Sequence, residues 1–207
     1  MSGEMRPGHS DHDHPGGTSS GDPTAAVGAV GAVGAVAAID TAENVRDALS
    51  SMYGAVAALI REDRIGMELL LDDLRRGFDD FTELLATMAF ATLDRLDAAL
   101  TTGTPLSPRE TRSLAQRLLT DAHRLALVDA IPVQAAARRL DAVRRHDHGF
   151  VAAEVMHART VASDAALLFG AVALLAATVN VWAERSHRTL HKAIGDLCLA
   201  ASVEPAA

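Results

Sequence analysis

Apolar residues recur at helical spacing between residues 45 and 88. A first stripe runs in steps of four and three through Val45, Leu49, Met52, Val56 and Leu59. A second stripe, which we call the seam, continues through Met67, Leu71, Leu74, Phe78, Phe81, Leu85 and Met88. Such steps place side chains on one face of a helix and are typical of coiled coils and of helices packed at shallow angles. The charged segment at 61–64 either ends the first helix or forms a polar layer in a longer one, and Gly77 permits a bend within the seam.

Helix boundary signals divide the second half of the chain. Ser107 suits an N-cap and Pro108 the first helical position, and Glu110 stands at the reciprocal position of a capping box. A helix is therefore predicted to begin at Pro108. Another is expected from about Val133, because the residue ahead of Pro132 is disfavoured in helical geometry.

The remaining pattern defines the fold class and the domain organisation. The segment at 146–149 bends or ends one helix, and residues 150–201 form either one long helix or two. The sequence has no alternating apolar runs and no Asn-Gly or Asp-Gly hairpin turn, so it gives no strand signal. We predict an all-α fold, a bundle of about four to six helices in a single domain over 39–203. The Gly-, Ala- and His-rich segment 1–38 is predicted to be a disordered tail and spacer, because its composition does not supply a packed core.

Charge and cysteine content exclude some classes of function. The chain has 207 residues and a formal charge of -8, with 27 acidic against 19 basic residues, whereas binding to a phosphate backbone needs clustered Lys and Arg. We therefore predict no nucleic-acid partner. The lone cysteine, Cys198, excludes an internal disulfide framework, and the first residues are polar and acidic rather than signal-like. A cytoplasmic location is expected.

The apolar segment 165–183 permits two interpretations. It carries no charge between Asp164 and Glu184, and its length is close to that of a membrane-spanning helix. Trp182 near one end and a basic flank beyond it fit a single span anchored at the inner face of the cell membrane. Its many alanines, with Gly170 and Asn180, equally describe the central helix of a bundle surrounded by neighbours. The buried helix is the favoured interpretation.

One group of polar residues suggests metal chemistry. Asn180, Glu184, His187 and His191 are spaced so that they share one face if the helix is continuous. Glu154 and His157 repeat the E-x-x-H spacing of Glu184 and His187. A carboxylate with imidazoles at helical spacing is what a divalent transition metal needs from one helix. The candidate metal ligands are therefore Glu154, His157, Glu184, His187 and His191.

In its two E-x-x-H motifs the chain resembles the ferritin-like di-metal carboxylate bundles. The resemblance implies a divalent transition metal held between four helices, two giving E-x-x-H and two giving a Glu each. The two motifs here lie about 30 residues apart, closer than that fold places them. No histidine occurs between residues 24 and 122, so the first helices offer only carboxylates such as Glu68 and Glu83.

No recognised catalytic motif accompanies these features, so a non-enzymatic role is favoured over an enzymatic one. We predict a helical interaction or scaffold protein that works through helix packing with itself or with a protein partner, using the seam. A homo-oligomer is the simplest form. A ferritin-like metal-binding bundle and a single-span membrane protein are the two alternatives.

Overall fold

The computed structural model of the chain describes residues 46–126 and 129–202, and these residues form eight helices and no strand. We number them α1 (46–60), α2 (Arg64–Arg76), α3 (Phe81–Thr101), α4 (Pro108–Leu125), α5 (Ala130–Arg144), α6 (His148–Arg159), α7 (Asp164–Arg185) and α8 (Leu190–Ser202). The all-α prediction is confirmed, whereas four to six helices is too few. The predicted tail and spacer at 1–38 lie outside the described residues.

Three of the helix boundaries are tight corners. Glu62, His146 and His187 each follow a helix and adopt left-handed backbone conformations, with φ of 58°, 55° and 55°. At the end of α7 the N–H of Arg188 donates to the carbonyl of Ala183 (2.9 Å), and the N–H of His187 donates to that of Glu184 (3.1 Å). These two bonds form a Schellman motif, which stops a helix by closing its last carbonyls onto the reversing chain.

At two of the corners, the residue that follows the left-handed residue is the N-cap of the next helix. Asp63 follows Glu62, and its carboxylate accepts the N–H of Gly66 at 2.9 Å. Asp147 follows His146, and its carboxylate accepts the N–H of Phe150 at 2.9 Å. Each Asp is thus an N-cap placed one residue after the left-handed residue of its corner. The charged segment at 61–64 therefore ends α1.

Helix α7 occupies the centre of the bundle and packs against α3, α4, α5 and α8. Ser163 caps its start by accepting the N–H of Ala166 at 3.2 Å. Every residue from 171 to 179 is buried, so more than two full turns are covered on all sides. In the described part of the chain α7 is the one helix long and apolar enough to cross a membrane.

The seam divides between two helices. Helix α2 ends at Arg76, and α3 begins after Asp80, whose side chain accepts the N–H of Thr82 at 2.8 Å. Six seam residues are at most 5% exposed, namely Met67, Leu71, Leu74, Phe81, Leu85 and Met88, while Phe78 is partly buried against them. The seam therefore belongs to the core of one chain, and its side chains are not available on the surface of the folded molecule.

Arg185 ties the end of α7 to the end of α3. Its Nε donates to the carbonyl of Ala99 (2.5 Å), and its Nη2 donates to those of Thr102 (2.6 Å) and Thr104 (2.8 Å). Carbonyls at a helix C-terminus lack partners within the helix and carry partial negative charge. A cation placed there both satisfies the carbonyls and fixes the angle between the two helices.

Candidate functional site

The first E-x-x-H pair lies on α6 and is already engaged in an ion pair. Glu154 is buried, and its Oε1 accepts the Nε–H of Arg138 from α5 at 2.7 Å. His157 is one turn further along α6 and is exposed. The pair therefore offers one carboxylate bound to a guanidinium and one imidazole in solvent.

The second group is divided by the corner after α7. Glu184 is in the last turn of α7, where its Oε1 accepts from Arg117 (2.6 Å) and from Asn180 (3.2 Å). The hydrogen bond to Glu184 raises the pKa of Arg117 above its ordinary value. His187 lies in the corner and His191 in α8. The predicted stripe on one helix is therefore wrong, because the helix ends at Arg185.

These positions do not assemble the site that the ferritin resemblance implies. Across residues 46–126 and 129–202, no three His, Cys, Asp or Glu side chains are grouped closely enough to hold a metal ion. Both E-x-x-H carboxylates instead contact arginines from other helices. In this part of the chain the five candidate ligands act as separate surface and interhelix contacts.

A cleft is bounded by α1, α2 and α8. We call it the α2–α8 cleft. It has a volume of about 440 Å³ and is open to solvent. Gly54 and Ala58 contribute from α1, Leu70 from α2, and Ile194 and Gly195 from α8. Gly54, Ala58 and Gly195 have little or no side chain and so leave room for the cleft. The branched side chains of Leu70 and Ile194 make most of its surface apolar.

The polar groups of the cleft do not form a catalytic arrangement. Arg61, Asp63, His191 and Cys198 line it, and Asp63 is already the N-cap of α2. Burial raises the pKa of the Cys198 thiol, although the charge of Arg61 opposes that shift. A thiol with a raised pKa is mostly protonated near neutral pH and is a poor nucleophile. The cleft is therefore better suited to packing than to chemistry.

Three large exposed apolar side chains lie on two of the helices that bound the cleft. Ile65 and Leu69 on α2 and Leu199 on α8 are between 65% and 73% exposed. Leu69 directly precedes Leu70 in α2 and Leu199 directly follows Cys198 in α8, so each lies about 100° around its helix from a residue that lines the cleft. We call these three residues the rim. Cleft and rim are therefore apolar features of the same two helices, α2 and α8.

The rim was not predicted, although the sequence of α2 contains a signal for it. Leu69, Leu70 and Leu71 are consecutive, and three adjacent helical positions spread over more than half the circumference of a helix. Since Leu71 faces the core, Leu69 points into solvent. Helix α2 therefore has a second apolar face besides the seam.

Comparison of the chain with protein-family models, with curated proteins and with solved structures finds no match.

Proposed function

We propose that this protein is a non-enzymatic helical interaction protein and that its binding surface is the α2–α8 cleft with its rim. The first partner proposed is a second copy of the chain. The observation that carries this proposal is the exposure of Ile65, Leu69 and Leu199 beside an apolar cleft. Large exposed apolar patches on folded proteins are typical of association sites.

A projecting rim next to a concave cleft suits self-association. A two-fold dimer uses the same patch on both subunits, so the patch must contain both the projecting and the receiving part. Helix α2 supplies both, with Leu69 projecting and Leu70 lining the cleft. The charges on α2 are also of both signs, as in the pair of Arg64 with Glu68 at 3.0 Å. Because positive and negative charges are both present on this helix, it does not repel the same helix of a second copy.

The size of the rim indicates a weak complex. Fully burying a Leu or Ile side chain contributes about 1.5–3 kcal/mol, and each rim residue is already about one third covered. The loss of translational and rotational freedom on binding offsets much of the sum over three such residues. We therefore expect association in the micromolar range or weaker, visible as a concentration-dependent equilibrium.

Sedimentation velocity over a concentration series tests the proposal. Leu69→Glu and Leu199→Glu place a charge on the rim and are expected to shift the weight-average mass towards that of the monomer. Met156→Glu is the matched control, because Met156 is 64% exposed on α6, away from the cleft. If the wild-type chain is a monomer at every concentration, or if all three variants behave alike, self-association through this surface is wrong.

A further inference from the structure

Arg139 is a fully buried cation with unused hydrogen-bond donors. It lies on α5, is 1% exposed, and is the bulkiest of the fully buried side chains. Neither Nη1 nor Nη2 has a hydrogen-bond partner in the described part of the chain. A buried polar group without a partner is costly, and a buried guanidinium especially so. The arrangement calls for an acceptor at these two nitrogens.

The carboxylate whose charge acts on Arg139 already accepts a hydrogen bond from another arginine. Glu154 on α6 is the anion whose charge acts most on Arg139, but its Oε1 accepts from Nε of Arg138 at 2.7 Å. Two guanidinium groups on consecutive residues of α5 therefore share one carboxylate. Arg138 is about half exposed and Arg139 is enclosed, so one cation faces solvent and the other faces the interior.

The chemistry of the unsatisfied donors specifies a class of ligand. Burial lowers the pKa of Arg139 to about 10, which leaves the guanidinium protonated at neutral pH. Its planar fork of N–H donors matches the spacing of two oxygens on a carboxylate, phosphate or sulfate. If Glu154 releases Arg138, the two guanidinium charges together match a dianion.

We propose that Arg139 and Arg138 form a binding site for a tetrahedral oxyanion of the phosphate or sulfate type between α5 and α6. The ion pair of Arg138 with Glu154 closes this site in the absence of the anion. An entering oxyanion takes the place of the Glu154 carboxylate on Arg138 and accepts hydrogen bonds from Nη1 and Nη2 of Arg139. The site is independent of the α2–α8 cleft.

Thermal unfolding of the full chain in sulfate, in inorganic phosphate and in chloride at equal ionic strength tests this proposal. A ligand that binds only the folded state raises the melting temperature in a saturable way. We expect a saturable rise of about 2–4 °C for the wild type in sulfate or phosphate over chloride. Arg139→Met should abolish that rise, and Glu154→Gln should increase it by removing the competing carboxylate. Arg112→Met, which changes an exposed arginine on α4, is the control and should respond as the wild type does.

Two outcomes would overturn the proposal. An equal response of the wild type and Arg139→Met to sulfate would mean that the anion acts by general exclusion from the protein surface. If Arg139→Met does not fold, calorimetric titration of the wild type and Glu154→Gln with phosphate decides the question. The absence of saturable heat in both would show that Arg139 is a purely structural group.

Discussion

Gly170 marks the closest approach between two helices of the core. A Cβ atom built on Gly170 would lie 2.6 Å from the carbonyl carbon of Pro132, in the first turn of α5. Carbon atoms in contact are normally about 3.5–4.0 Å apart, so no side chain fits there without movement of the backbone. The absence of a side chain at Gly170 therefore allows the start of α5 to pack directly against α7.

A pair of glycine substitutions tests this contact. Gly170→Ala is expected to lower the free energy of unfolding by about 1–3 kcal/mol, because the methyl group forces α5 and α7 apart. Gly195→Ala is the matched control, since Gly195 lies within α8 and a Cβ there would have no neighbour within 4 Å. That change should raise stability by up to about 1 kcal/mol through helix propensity. Urea unfolding of both variants measures the difference, and equal effects would contradict the close contact.

At the scale of the element, the start of α4 shows what a local signal can predict. The side chain of Ser107 accepts the N–H of Glu110 at 3.3 Å, and Oε2 of Glu110 accepts the N–H of Ser107 at 2.8 Å. The sequence predicted this capping box and the start at Pro108, and both are confirmed. All the atoms involved lie within four residues of one another, so no tertiary information was needed.

The capping box also makes stability depend on pH in a defined direction. Hydrogen bonds from Ser107 lower the pKa of Glu110 below its ordinary value of 4.5. A carboxylate whose pKa is lower in the folded state contributes stability above the ordinary pKa and loses it as pH falls through the folded value. The difference in melting temperature between wild type and Glu110→Ala should therefore be constant from neutral pH to about 5 and shrink at more acidic pH. Repeating the comparison in a Ser107→Ala background should weaken the dependence, and an unchanged dependence would assign it to another group.

The corners show why the boundaries at 61–64 and 146–149 were left open and the one after Arg185 was not predicted. A Schellman motif usually places glycine in its left-handed position, and Glu62, His146 and His187 stand there instead. A non-glycine residue in this conformation costs about 1–2 kcal/mol, so the sequence offers no local reason to expect it. A backbone conformation of this cost persists only where the surrounding structure favours it. The E-x-x-H pattern at Glu184 was misread for this reason, since its spacing has meaning only within a continuous helix.

At the scale of the whole molecule, α7 is the element on which the others depend. Its neighbours α3, α4 and α5 each turn apolar residues towards it. Even its buried Thr178 is satisfied internally, with Oγ1 donating to the carbonyl of Leu174 at 2.8 Å. If α7 were removed to a bilayer, the inner faces of three helices would be exposed to water. This arrangement supports the interpretation of 165–183 as a buried central helix.

Fractionation after expression tests that interpretation. We expect the full chain to be recovered without detergent and to stay in the supernatant after carbonate treatment of the membranes. The physical reason is that the apolar surface of α7 is already covered by its own bundle. Recovery in the carbonate-resistant pellet would instead favour a single span at the inner face of the membrane.

The sequence predicted what is buried better than what is exposed. The seam residues were identified as an apolar face, but periodicity alone did not distinguish a face within one chain from a face between chains. Leu74 and Phe81 proved to be core, whereas Ile65, Leu69 and Leu199 are the exposed apolar residues. The cleft requires α8 to meet α1 and α2, which lie at the other end of the described chain. No local pattern contains that information.

The central position of α7 also bears on how the protein is made. Helices α3, α4 and α5 leave the ribosome before α7. Their apolar faces therefore stay exposed until α7 has been synthesised. At about 5–20 residues per second, the 41 residues from Arg144 to Arg185 take roughly 2–8 s. Local helix formation is complete within microseconds. During synthesis the apolar faces of α3, α4 and α5 are therefore exposed for seconds before α7 can cover them, and apolar surface exposed in this way promotes aggregation.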